Sequence, residues 1–563
     1  MNCRPGAVLP IALVFSLAAV AGPQAEPPSG SIRQSVEVRV TNLDVVVTDR
    51  KGVRVRGLSA ADFEVREDGV VRTITNFSEA GAVEPPSAAA AAAPAPEAPL
   101  EPSEPPGATV PATTAPQAAR PATYLVLFVD NLHISTQSRK RVLDETRAFL
   151  RRSAEAGVPV LVLESDRSPR ILQKFTTDAA LLDRAVSELE TDNSSGQRAE
   201  ASRRAVYQAI DQAMRDRRPQ AAEAHARAYA GEAALDLGNS LQSLETTLAQ
   251  LSALEGRKVL LHVSDGLPVA PGADAYQYLR SFSGGGRGVG PSPVGFAEDF
   301  SARFKKLSRS ASASRVALHM LDATGLAEEG FGRSAETPIG PRGNLDPLAT
   351  RVNLQSMLSY LAEETGGTAI LNRSRVSDPL GEISEELTSY YSIGYESPRT
   401  DGDSTHRIEV RMNAPGLTAR TQRSLRRRSA DTRVAEGVAA ALFFGRNENP
   451  FGFAVEIGEP QPKGEQVVVP VRVRIPATRL VLLPEGAGVR GSAVFYFQVR
   501  DEEGRVSDLV RQEEALEKEG EVVHDALLRM RRGRQVISIA VRDGRSGIAA
   551  YAQKTLLIPG AKK

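Results

Sequence analysis

Cysteine is almost absent from this chain: Cys3 is the one thiol in 563 residues. It precedes the apolar run Ala7-Val-Leu-Pro-Ile-Ala-Leu-Val-Phe-Ser-Leu17, whereas a lipid-attachment cysteine would follow such a run. Residues 1–25 combine Arg4, that run and the small-residue end Ala19-Val-Ala21, the layout of a secretory signal, and the run is too short to span a bilayer. Cleavage is expected near Gly22 or Glu26, with a retained anchor as the alternative, and no transmembrane segment is expected after removal. The mature chain then has no disulfide, no thiolate nucleophile and no sulfur-ligated metal. Histidine is sparse as well. The six residues, at 133, 225, 262, 319, 406 and 524, show neither H-x-x-x-H nor H-E-x-x-H spacing, and His262 and His319 fall inside apolar runs that read as satisfied core positions. No Gly-x-Ser-x-Gly elbow offers an acyl nucleophile. Phe282-Ser-Gly-Gly-Gly-Arg-Gly-Val-Gly290 lacks both the preceding strand and the lysine of a phosphate-binding loop, so it reads as a surface loop. Charge of one sign is missing too, with 69 basic against 69 acidic residues, so no global field draws the chain to nucleic acid or an anionic membrane. Arg420 to Arg428 is locally basic, yet it has no interleaved aromatic and reads as a solvated linker.

Hydrophobic residues make up 41% of the chain, enough for real cores, and the length allows three or four domains. The clearest apolar run is Thr123-Tyr-Leu-Val-Leu-Phe-Val-Asp130, followed by Val158–Leu163, Lys258–Asp265, Arg315–Asp322 and Gly367–Leu371. Continuous runs of this kind, separated by helical patterns, predict strands buried on both faces of a doubly wound, mostly parallel α/β sheet. Helices are expected over 138–154, 179–189, 354–365 and 380–387. A leucine stripe from Ala234 to Leu254 ends at Gly256, and residues 198–237 read as an outward-facing helical insertion. Three strands end in Asp130, Asp265 and Asp322, at the edge where ligands of such sheets sit.

The flanking regions are of other kinds. Residues 31–79 alternate apolar and polar positions around turns at Asp49-Arg-Lys-Gly52 and Asp68-Gly69, a small antiparallel β module. Residues 80–121 reduce to Ala, Pro, Glu and Thr without periodicity, a disordered linker open to proteases. Residues 445–563 carry alternating strands at sandwich spacing, suggesting an immunoglobulin-like β-sandwich without its Cys and Trp marks.

The first-strand Val-Asp, the stretch Gly256-Arg-Lys-Val-Leu-Leu-His-Val-Ser-Asp-Gly266, and Leu361-Ala-Glu-Glu-Thr-Gly-Gly367 followed by Tyr390–Tyr395 resemble a von Willebrand factor A-type domain. Val47–Gly52 and Leu58–Gly69 are similar to the lead-in module of the acidobacterial von Willebrand factor A-related family. The resemblance implies a Rossmann-like sheet over about 122–425 and a secreted protein that recognises an extracellular or envelope protein partner without catalysis. That family's adhesion site holds a divalent cation on Asp-x-Ser-x-Ser, a threonine from a second loop and a later aspartate. Here the motif reads Asp130-Asn-Leu-His-Ile134, with Leu132 and Ile134 at the two serine positions. Asp130 and Asp265 remain as metal candidates, Ser240 is the one stand-in for the threonine, and Ser240 lies on the leucine stripe. A degenerate site follows, with no resident cofactor and at most weakly held Mg²⁺. Otherwise Asp130 and Asp265 cap nearby helix amides. The alternative function is an extracytoplasmic enzyme using these two carboxylates as an acid pair.

Overall fold

The structure, a computed structural model, describes residues 40–80, 123–191, 194–252, 254, 256–282, 294–326, 347–397, 403–445, 447–464, 466–485, 488–517 and 520–559. The expected signal at 1–25, nearly all of the linker at 80–121 and the glycine-rich tract after Phe282 lie outside them. Among the described residues no helix is long and apolar enough to cross a membrane.

The chain enters through four short strands, β1 (Val40–Thr48), β2 (Phe63–Glu67), β3 (Val70–Arg72) and β4 (Ile74–Glu79). Then comes the α/β region: β5 (Thr123–Asp130), α1 (Thr136–Glu155), β6 (Val160–Ser165), β7 (Pro169–Thr176), α2 (Ala179–Thr191), α3 (Ser194–Arg215), α4 (Pro219–Leu251), β8 (Arg257–Ser264), α5 (Ala273–Ser281), α6 (Val294–Ala313), β9 (Val316–Asp322), α7 (Pro347–Thr365), β10 (Ala369–Ile370) and α8 (Ser377–Thr388). Its six-stranded sheet has the order β10-β9-β8-β5-β6-β7. All pairs are parallel except β6 with the edge strand β7. Successive side chains of a strand point to opposite faces, and β5 shows the consequence. Leu125, Leu127 and Val129 pack in a core with residues of α1, α2 and α8, while Val126 and Phe128 pack in another with residues of α4, α6 and α7.

The helical insertion differs from its expected layout. The leucine stripe and the second half of the insertion are one helix, α4, and Val206, Tyr207 and Ile210 of α3 pack with Tyr276 and Tyr278 of α5 around Ala222, Ala226 and Ala230. The insertion therefore has its own apolar core, supplied by small residues on α4 that let neighbouring helices approach.

The chain then continues with β11 (Tyr391–Glu396), β12 (Ser404–Met412), β13 (Thr418–Arg420), β14 (Ser424–Arg427) and α9 (Ala430–Phe444). The last of these strands, β14, runs across the expected boundary at 425. Strand β11 lies between β1 and β4, and β12 lies between β14 and β2. The two four-stranded sheets share one core of Leu43, Val45, Phe63, Val65, Tyr391, Ile393, Tyr395 and Ile408. Residues 40–79 thus do not bury their apolar face alone. They do so against strands that follow the α/β region, which is inserted between β4 and β11. The arginines of 420–428 are correspondingly structural and not a solvated linker: Arg428 donates to Ser252 O at 3.1 Å and to Glu436 at 2.6 Å, and Arg427 contacts the buried Glu67 carboxylate at 2.5 Å.

Nine further strands follow: β15 (Ala454–Ile457), β16 (Gln461–Lys463), β17 (Gln466–Pro476), β18 (Leu483–Glu485), β19 (Gly488–Asp501), β20 (Val510–Leu516), β21 (Glu521–Met530), β22 (Gly533–Asp543) and β23 (Ala549–Ile558). They make two antiparallel sheets, β15, β16 and β21 around β17, and β18-β19-β22-β23 with β20 on β19. Both sheets contribute to one core that includes Val469, Val471, Phe495, Phe497, Leu528 and Ile539. Helix α9, capped by the Ser429 hydroxyl and ended by Gly445 in the left-handed region, lays Val434 and Val438 on Val494, Tyr496 and Ala540.

Candidate functional site

The carboxyl ends of β5, β8 and β9 bring Asp130, Asp265 and Asp322 to one edge. Asp130 is fully buried and its oxygens are occupied from three sides. Oδ1 accepts from the Leu132 amide at 3.1 Å and from the Ser240 hydroxyl at 2.9 Å, and Oδ2 lies 3.1 Å from His133 Nδ1. The same Nδ1 is 2.9 Å from Ser240 Oγ. Behind it, His262 Nε2 is 3.8 Å from Asp130 Oδ2, with the ring stacked on Phe128. The local sequence explains the arrangement. Leu132 and Ile134 are both buried, Ile134 within the α1 and α2 core, and the intervening His133 faces back to the carboxylate. Burial raises the cost of charge on both groups, yet the His133 imidazole holds Asp130 well below the ordinary carboxylate range. Burial likewise opposes a charged His133, but Asp130, with Asp236 and Asp265 further off, keeps the imidazole above its usual value.

Ser240 sits in α4, as its place on the leucine stripe implies, and its hydroxyl still reaches Asp130 and His133. Asp265 Oδ2 accepts from the amide of Ser135, the N-cap residue of α1. Its Oδ1 is buried without a partner, and burial, aided by the Asp322 charge and opposed by bonds from Ser138 and Ser135, pushes the carboxyl up to about 6. Asp322 accepts from Thr324 N and Oγ1 at 2.9 and 2.6 Å and from Gln355 Nε2 at 2.5 Å. His262 is a core residue, but both its ring nitrogens lack a hydrogen bond, which the expectation of a satisfied side chain missed. His319 is satisfied on one side only: Nδ1 accepts from Thr368 N at 3.2 Å, its buried Nε2 has no hydrogen-bond partner, and burial lowers its pKa.

Leu132 and Ile134 place hydrocarbon beside Asp130, and the carboxylate oxygens are taken up by the Leu132 amide, the Ser240 hydroxyl and His133 Nδ1. Among the described residues no group of three or more His, Cys, Asp and Glu side chains is placed to hold a metal. Sequence reasoning missed His133, which it counted among scattered histidines. The available signal was its place between the two aliphatic replacements in Asp130-Asn-Leu-His-Ile134. It also missed Asn131, which accepts from the buried Arg139 at 2.5 Å and donates to Glu164 at 2.9 Å, tying β5 to β6 and α1 beside the site.

No protein-family model matches the chain, and no curated protein matches it in sequence. Similar solved structures include the von Willebrand factor domain of the type V pili tip protein Mfa5 from Porphyromonas gingivalis, 15% identical over 26% of this chain and 39% of that one, with TM-score 0.15. A von Willebrand factor type A protein from Catenulispora acidiphila is 9% identical over 57% and 80%, with TM-score 0.23. The pilus adhesin SpaC from Lactobacillus rhamnosus GG is 9% identical over 79% and 70%, with TM-score 0.25. At such scores the reading of function rests on the chain's own residues.

Proposed function

We propose that this chain is an exported, non-enzymatic protein-binding protein of the von Willebrand factor A type, akin to the acidobacterial group. In this reading its adhesion-type cation site is degenerate and its C-terminal sheets form an immunoglobulin-like sandwich. The supporting observation is the closure of Asp130 by His133 and Ser240, whose side chains occupy the carboxylate where the family uses an ion. The recognition surface is then the carboxyl edge itself, where Leu326, four residues past β9, and Val352 of α7 are both 57% exposed. Apolar side chains left in water beside polar groups suit a protein partner from the envelope or the extracellular space. The geometry is poor for acyl transfer, because Ser240 and Asp130 share one imidazole nitrogen, whereas a relay needs one on each.

A second reading is favoured by Asp265, whose unpartnered oxygen and raised pKa suit a general acid, paired with Asp130 in an extracytoplasmic enzyme. Affinity capture with the full chain separates the two. The binding reading expects one envelope or extracellular protein retained equally in EDTA and in millimolar Mg²⁺, and lost in a Leu326→Asp, Val352→Asp variant of unchanged melting temperature. Retention by that variant, or dependence on Mg²⁺, defeats it. A hydrolytic activity abolished by Asp265→Asn with stability intact establishes the enzyme instead.

A further inference from the structure

The opposite edge of the six-stranded sheet holds an unassigned, narrow cleft where it meets the β module. Strands β8 and β9 begin there, bringing Arg257, Lys258 and Arg315, while the module supplies Asp44 from β1, Arg420 from the end of β13 and Gln422 from the turn after it. Contact between the two is close. Gly366, at φ +76°, ends α7 so near residues 421 and 422 that an added Cβ would come within 2.6 Å of the Thr421 carbonyl carbon.

Charge in this cleft is one-sided. Asp44 takes Arg315, with one guanidinium nitrogen 2.9 Å from each carboxylate oxygen. Glu386, just behind, contacts Arg420 and stands 4.0 Å from Arg257, so one carboxylate serves two guanidinium groups. Lys258 is 3% exposed and bonds only a carbonyl, Leu254 O at 2.5 Å, with no carboxylate in ion-pair range among the described residues. Gln422, 9% exposed, presents a buried Nε2 with no hydrogen-bond partner. A buried ammonium without a counter-charge and an orphan amide donor are each unfavourable, and one ligand relieves both.

We propose that this junction cleft binds a small inorganic oxyanion of the phosphate or sulfate class, held by Arg257, Lys258 and the Gln422 amide. Such an anion carries several acceptors in a compact tetrahedron, matching donors that converge from two domains. The mutual repulsion of the cations supports the assignment. Burial, with Arg315 and Arg428 adding to it, pulls Lys258 down to about 7, and burial with Arg257 and Arg54 pulls Arg420 down to about 9. By this reading the anion is a clasp, occupied when the α/β region and the β module are seated on each other.

The test is a thermal-shift titration of the full chain at pH 6.5 with inorganic phosphate, then sulfate, against chloride of equal ionic strength. Expected is a saturating rise of several degrees with phosphate. Gln422→Leu, which removes the donor and no charge, should weaken apparent affinity at least fivefold. Lys258→Met should weaken it at least tenfold while melting in chloride at or above the wild-type temperature. A response no larger than that to chloride, or one unchanged in both variants, overturns the proposal. If Lys258→Met fails to fold, Gln422→Leu alone decides.

Discussion

In the proposed reading the imidazole beside the buried Asp130 carboxylate does part of what a divalent ion would do, and two consequences can be measured. Taking the ring away leaves a buried anion with neutral donors only, so His133→Ala should cost about 3–5 kcal/mol in denaturant unfolding. A loss below 1 kcal/mol would mean the pair is incidental. The melting temperature should be the same in EDTA and in millimolar Mg²⁺, since a ligand at a hundredfold excess over Kd adds about 2.7 kcal/mol and would be seen. A rise with Mg²⁺ that vanishes in Asp130→Ala would restore the cation site. Lys258 sets a pH dependence of its own. Its folded pKa of about 7 lies below the ordinary 10.5, so between these values the unfolded chain binds more protons and stability rises with pH. Lys258→Met removes this slope. Its stability advantage should be largest at pH 7 and below, on the order of a few kcal/mol, and should shrink toward pH 10 in urea titrations at spaced pH values.

At the scale of elements, the parallel strands were legible because burial on both faces leaves an uninterrupted apolar run, and β5, β8 and β9 stand where those runs are. Strand β7 was not, since Pro169-Arg-Ile-Leu-Gln-Lys-Phe-Thr176 is a half-exposed edge whose polar residues hide the pattern. Just past its end, Asp178 caps the helix expected over 179–189 by accepting from the Ala180 amide at 2.8 Å. The Gly366-Gly367 stop was legible as punctuation but not as packing. A Cβ on Gly367 would fall 1.9 Å from the Leu318 carbonyl oxygen of β9, a backbone atom with nowhere to go. Gly367→Ala should therefore destabilise by on the order of 3 kcal/mol, against less than 1 kcal/mol for an alanine at Gly381 of α8, where an added Cβ meets nothing within 4 Å. Equal effects at both positions would contradict this packing. The candidate site was half legible. Strand-end aspartates announce themselves, whereas the partnership of His133 with Ser240 joins residues 107 apart, and no local pattern encodes that.

At the scale of the whole molecule, the module boundary was the feature least available to sequence. Residues 40–79 alternate well enough to be recognised as strands, but nothing local says that β11 lies between β1 and β4. Limited proteolysis checks the arrangement. Cleavage is expected first within 81–121, from composition, and the fragment bearing 40–79 should remain bound to the rest through gel filtration, separating only in denaturant. Early release of that fragment would mean that the pairing of β1 and β4 with β11 is not maintained in solution.

The interleaving of β1, β11 and β4 also fixes a timetable. The Tyr391 hydroxyl donates to Val55 O across 336 residues of chain, so a polypeptide that crosses a membrane N-terminus first delivers β1 and β4 long before their central partner arrives. During that interval two strand edges stand unpaired, the condition that invites wrong pairing and aggregation. High sequence separation also slows the closing step itself. The α/β region, able to close on local contacts, is then finished before the platform that carries it, and the unpaired edges of β1 and β4 are the part of the nascent chain most in need of protection.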